Sequence, residues 1–207
     1  MNWIDFVLIG LLLVAIIIGA RRGLFSGLMG IIGLFCGVIF SINYSDQITA
    51  KFLSHMRVST VAIVFMAFIV VFVMAYVGIK LLGYLFYKFA SLKPLGNADK
   101  VGGAIMGIFQ GWIVLGVILF LLIFLPMPDS FIVKLDNSFF GPAMRGVVPM
   151  IYDETTFLHP QSPNLVDKLK SALRSEPGES ARDFKGFSPE GSSVSRIIRT
   201  MEDYFGT

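Results

Sequence analysis

Few side chains in this sequence are suited to chemistry, and most of them stand alone. His55 and His159 have no Cys, Asp or Glu at a ligand spacing, so neither opens a zinc or metalloprotease pattern. The single cysteine, Cys36, lies in an apolar run where a thiolate is costly, and it reads as a small apolar filler facing helix or lipid. One cysteine allows no intrachain disulfide. There is no Gly-x-Ser-x-Gly element and no phosphate-binding loop, because the glycines at 103, 107 and 111 follow no strand and lead to no Gly-Lys-Ser/Thr. The expectation is a protein that is not an enzyme and that carries no cofactor and no metal.

What remains is a handful of polar residues within or beside apolar runs: Asp5, Arg22, Lys80, Asp99, Lys100 and Gln110. Gln110 lies between Gly107 and Gly111, and a polar side chain at membrane depth faces protein or water rather than lipid. It is therefore either an interhelical hydrogen-bonding group or a group lining a pore. Lys80 reads as an anchor that snorkels towards the interface, and Asp5 as a headgroup-level residue beside Trp3. No Asp, Glu or His falls near the middle of an apolar run, which argues against a proton-driven pump. Asp99 closes a turn-rich stretch at 91–100 and is placed to cap the helix that follows. It could also pair with Arg21 or Arg22 on the same membrane face and so lock two helical hairpins together.

The elements that must position these residues are apolar and long. Of 207 residues 55% are hydrophobic and 15% charged, against about 45–50% and about 25% in soluble domains. Up to residue 128 the chain has eight Lys/Arg and three Asp/Glu; the remainder has nine and eleven. The basic excess thus flanks apolar runs, where it sets orientation and meets anionic lipid. A nucleic-acid reader would gather it in one patch beside stacking aromatics, so nucleic acid is excluded as a partner.

Four spans are predicted, at 4–20, 24–42, 61–86 and 101–125. The first has 17 residues, which at ~1.5 Å each cover about 25 Å. Its start carries no positive charge and its end no small-residue cleavage pattern, so it should remain in the mature protein rather than act as a signal peptide. Only Arg21, Arg22 and Gly23 separate spans one and two, which implies a tight antiparallel hairpin. Ser59 and Thr60 are candidate N-caps for span three, and Pro126-Met127-Pro128 should end span four. The fold class is an all-α membrane protein of two antiparallel hairpins followed by a polar tail. The expected division is a transmembrane domain over 1–128, an amphipathic membrane-surface segment over 129–158, and linkers with short helices over 159–207.

Glycine spacing is the most informative pattern. Span four has Gly103, Gly107 and Gly111 at every fourth position, and span two has Gly23, Gly27, Gly30, Gly33 and Gly37. Such spacings place glycines on one helical face, where backbones approach closely in the absence of a hydrophobic drive. Either spans two and four pack through these faces within one chain, or the faces form a subunit interface or narrow pore.

In the tail, 159–163 and 175–193 are Pro/Gly/Ser-rich linkers. Asn164 can cap a helix with Leu165, Leu169, Ala172 and Leu173 on one face, and Ser193 another with Val194, Ile197, Ile198, Met201 and Phe205. Each is too short to be stable alone in water and needs a membrane, a partner or a second copy. Orientation follows the short-loop Lys/Arg count. With both termini outside the cytoplasm, Arg21, Arg22, Lys88, Lys93 and Lys100 lie inside, and Lys51, Arg57, Lys134 and Arg145 outside.

Several segments, in this order, resemble the CvpA (colicin V production protein) family of bacterial inner-membrane proteins. They are Trp3-Ile4-Asp5, Arg22-Gly23-Leu24-Phe25, Asn97-Ala98-Asp99-Lys100-Val101-Gly102-Gly103-Ala104, and Ser138-Phe139-Phe140-Gly141-Pro142. The resemblance covers about 1–157, and the ordered set rather than any single motif carries it. Leu24 interrupts the family's Arg-Gly-Phe element. The resemblance implies a multi-pass inner-membrane protein involved in colicin V production or export and in envelope function. The expected role is an oligomeric scaffold or accessory component whose partners are the lipid bilayer, further copies of the chain, and envelope or export proteins. The alternative is a small channel or transporter with glycine-lined helices around a polar path.

Overall fold

The computed structural model describes residues 2–53, 60–89, 96–125, 129–155, 165 and 190–205. Its helices are α1 (Trp3–Arg22), α2 (Leu24–Leu53), α3 (Thr60–Phe89), α4 (Asn97–Leu121), α5 (Asp129–Asp136), α6 (Gly141–Arg145), α7 (Val147–Glu154) and α8 (Glu190–Phe205). A short 3₁₀ turn, Leu122–Phe124, extends α4. No strand occurs among the described residues. Four helices, α1 to α4, are long and apolar enough to cross a membrane.

The boundaries have local causes. α1 opens with a capping box: the Asn2 side chain accepts from the Trp3 N–H at 2.8 Å, and the Asp5 carboxylate accepts from the Asn2 N–H at 2.7 Å. It ends at Gly23, whose N–H donates to the Gly19 carbonyl while its own carbonyl accepts from the Gly27 N–H. One residue thus closes α1 and opens α2. Its φ of +82° and ψ of 170° lie in a region open essentially to glycine alone.

The long helices alternate in direction, as the two predicted hairpins require. Which of them pack along their length is another matter. α1 lies against α4, α2 lies against both α3 and α4, and α1 touches α2 little beyond the Gly23 turn. The two helices therefore diverge from Gly23, and α6 and α7 fill the open end over α4. Met144 packs with Ile4, Leu8, Leu115 and Leu119 on the α1 side. Val148, Ile151 and Tyr152 pack with Val38, Ile42 and Phe120 on the α2 side. The stretch read in sequence as an amphipathic surface segment is thus packed on the four helices, with Met144, Val148 and Tyr152 fully buried.

Two further expectations change. Thr60 is within α3 rather than capping it, and Ser59 lies outside the described residues. α8 begins at Glu190, so Ser193 is within the helix rather than capping it. Its Ile197 and Met201 are buried in the main core, with Ile198 and Phe205 packed against it. The stretch Pro126-Met127-Pro128, the helix expected after Asn164 (Leu165 apart), the linker at 159–163, residues 175–189, and His55 and His159 lie outside the described residues.

Candidate functional site

Two carboxylates hold opposite ends of the bundle by accepting backbone N–H groups across the fold. At the end where α1 starts, Asp5 is fully buried. Besides the capping bond from Asn2, its Oδ1 accepts from the Phe139 N–H at 2.8 Å and the Phe140 N–H at 3.2 Å. The Asn2 side-chain amide donates to the Lys134 carbonyl at 3.0 Å. The receiving loop is itself fastened: the Ser138 hydroxyl donates to the Leu135 carbonyl at 2.7 Å and accepts from the Gly141 N–H at 2.9 Å, tying α5 to the start of α6. Asp5, read in the sequence as a headgroup-level residue beside Trp3, is a fixed acceptor of three backbone N–H groups.

At the other end, Asp99 departs from its expected roles. α4 starts at Asn97 with Gly96 at the cap position and no side-chain capping bond. Asp99 sits in the first turn, and its Oδ1 accepts from the Leu24 N–H at 2.9 Å. It thus satisfies the opening of α2, not of its own helix. No Arg22–Asp99 ion pair forms, since the one ion pair among the described residues is Arg145–Asp136. The lock between the two hairpins exists, made to a backbone amide that Gly23 leaves without an intrahelical acceptor. Lys100 is exposed beside it.

The glycine ladder also finds a different partner from the one expected. A Cβ on Gly107 would lie 2.7 Å from the Ala15 carbonyl oxygen and 3.1 Å from the Ile16 Cα. One on Gly103 would meet the Gly19 carbonyl and the Gly23 Cα, and one on Gly111 the Ala15 Cβ at 2.7 Å. The face of Gly103, Gly107 and Gly111 packs on α1, not α2. Ala15, Gly19 and Gly23 form the matching small-residue ladder, a spacing visible in the sequence but not singled out there.

The α2-facing stripe of α4 is one residue earlier, at Gly102, Met106 and Gln110. These meet Leu24, Gly27 and Gly30 respectively. Gln110 donates its side-chain amide to the Gly27 carbonyl. Of the other α2 glycines, Gly33 and Gly37 pack on Tyr76 and Phe72 of α3. Lys80 donates to the Tyr76 hydroxyl at 3.1 Å on α3 itself.

A third cluster had no forecast. The Arg145 guanidinium donates to Asp136 Oδ1 at 2.6 Å and lies 3.4 Å above the Tyr204 ring, while the Tyr204 hydroxyl donates to Asp136 Oδ2 at 2.9 Å. Burial, reinforced by that bond, pushes the Tyr204 phenol above its ordinary pKa. The cluster fastens α8 to α5 and α6. Its residues are 9 to 68 positions apart, beyond the reach of any local motif.

A family model described as Colicin V production protein matches residues 4–149. The matched stretch runs from the start of α1 into α7 and contains both carboxylate locks and the ladder. No curated protein and no solved structure matches the chain.

Proposed function

Because the chain belongs to the colicin V production protein family, we propose that it is a multi-pass inner-membrane scaffold or accessory component in colicin V production and export and in envelope function. The observation that supports this reading is the use made of the polar residues. Asp5, Asp99 and Gln110 each bind a backbone group of another segment. The ladder glycines lie against α1. Polar groups are spent on holding helices together, while the outer faces of α1 and α3 present large apolar side chains such as Ile17, Met74 and Leu82. Self-association, on this reading, uses those outer faces rather than the ladder.

The competing channel reading needs Gln110 on a polar path. Purified protein in liposomes should show no ion or solute flux above protein-free vesicles. Gln110→Leu should leave flux at that baseline while lowering bundle stability by about 1 kcal/mol. Flux that depends on Gln110 would overturn the scaffold reading in favour of a channel.

We also place the Gly23 turn on the cytoplasmic side, with both termini outside. Arg21, Arg22, Lys88 and Lys100 share the Gly23 end, while α5 to α8 gather at the other. A reporter fused after Thr207 should be active only outside the cytoplasm, and one inserted between Lys93 and Asn97 only inside. The reverse pattern would mean that the two arginines are translocated against the charge rule.

A further inference from the structure

A cleft among the described residues plays no part in the packing above. It lies where α4 passes into its 3₁₀ turn, with α5 on one side and α8 on the other. Its wall is apolar, formed by Leu119, Leu122, Phe131 and Ile132. Its polar rim is Arg145, Arg196, Thr200 and Tyr204. The charges of this rim are unequal in availability. Arg145 is buried and matched by Asp136, so it serves to hold α8 in place. Arg196 is exposed at the mouth and forms no ion pair with another described residue.

The depth of the cleft is marked by its neighbours. It sits at the end of an apolar span. Phe131 on its wall is 6.3 Å from the ring of Trp3, which is half exposed at the start of α1. Trp at the end of a span marks the headgroup level. An apolar slot at that level with the exposed Arg196 guanidinium at its mouth fits a molecule with an acyl chain and a phosphate, since guanidinium matches phosphate oxygens in a two-point fork.

We infer that this cleft is a binding site for an anionic glycerophospholipid, its phosphate held by Arg196 and one acyl chain lying along Leu122, Phe131 and Ile132. α8 would then be seated partly by lipid, beside the core contacts of Ile197 and Met201. The Arg196 charge favours an anionic headgroup over a zwitterionic one, whose own cation would face Arg196.

The test is native mass spectrometry of the full chain in detergent, with phosphatidylglycerol and phosphatidylcholine added in turn and melting curves recorded alongside. The wild-type protein should retain phosphatidylglycerol in preference to phosphatidylcholine. Arg196→Gln should lower that preference about fivefold, the worth of one basic residue at an anionic surface. Arg199→Gln, on the same helix but not on the cleft, should leave it unchanged. Thr200→Trp, which fills the cleft, should lower retention of both lipids. Equal retention of the two lipids by the wild type, or equal losses in the Arg196 and Arg199 variants, would overturn the proposal. So would inorganic phosphate raising the melting temperature as much as phosphatidylglycerol, which would make the site one for a free anion.

Discussion

Gly107→Leu is expected to abolish the α1–α4 contact and to cut the amount of folded protein in the membrane several-fold. A Cβ alone at this position meets backbone atoms of Ala15, Ile16 and Gly19 at 2.7 to 3.2 Å. Backbone in the middle of a helix cannot rotate away as a side chain can, so the helices must separate. Overpacking by single methylenes already costs about 1–3 kcal/mol, and a leucine adds four carbons. Against a total stability of about 5–15 kcal/mol such a loss lowers steady-state abundance several-fold. Ile105→Leu and Ile118→Leu, at exposed positions of the same helix, should stay within about 0.5 kcal/mol. Abundance in membranes and a melting curve in detergent are the measurements. Because the ladder is internal, any oligomer should disappear together with the monomer fold. A Gly107→Leu chain that keeps its fold and loses only its oligomer would place the ladder at a subunit interface instead.

Gly23→Ala should destabilise the protein nearly as much, for two separable reasons. Its φ of +82° and ψ of 170° cost an alanine about 1–3 kcal/mol. The new methyl group would also run into the Asp99 carboxyl group, with its Cγ at 2.8 Å. Displacing that carboxylate takes the acceptor from the Leu24 N–H, a further cost of about 1–3 kcal/mol if the amide is left buried and unpaired. Asp99→Ala alone should incur that second cost, so in the double variant Gly23→Ala/Asp99→Ala the two losses should be less than additive, the Leu24 N–H having lost its acceptor only once. Full additivity would mean that the alanine leaves the Asp99–Leu24 bond intact, and would assign the whole Gly23→Ala effect to backbone conformation. Gly10→Ala and Gly78→Ala supply the opposite sign. Both glycines are helical with nothing within 4 Å of the added Cβ, so each change should be neutral or stabilise by about 0.5–1 kcal/mol. Uniform destabilisation by all three alanines would mean that open space around a glycine has no bearing on its tolerance.

These contrasts show why the glycines cannot be treated as one pattern. Gly103, Gly107 and Gly111 recur every four residues, and so do Gly102, Met106 and Gln110 one position earlier. A single-residue step turns a helix by about 100°, so the two stripes face different neighbours. The first meets α1 and the second meets α2. Periodicity names a face. It does not name what lies opposite.

The sequence by itself determined that four helices cross a membrane, because unbroken apolar runs of that length can satisfy their backbone groups in lipid only as helices. It also marked Asp5, Asp99 and Gln110 as polar groups in need of a partner, since a charge or amide beside hydrocarbon is costly alone. The hinge at Gly23 was equally legible as a turn between two spans. Only the tertiary structure decided who those partners are. Asp5 reaches Phe139 and Phe140, Asp99 reaches Leu24, and Tyr204 reaches Asp136, across separations of 68 to 135 positions. It also decided that α1 and α2, adjacent in sequence, diverge and leave room for α6 and α7. Hydrophobic burial and helical period are properties of a segment, whereas a backbone N–H left open at a helix end donates to any carboxylate the packing brings within reach. The pairing is settled by which helices can approach most closely, and here that was decided by the fit of two small-residue ladders, Ala15-Gly19-Gly23 against Gly103-Gly107-Gly111.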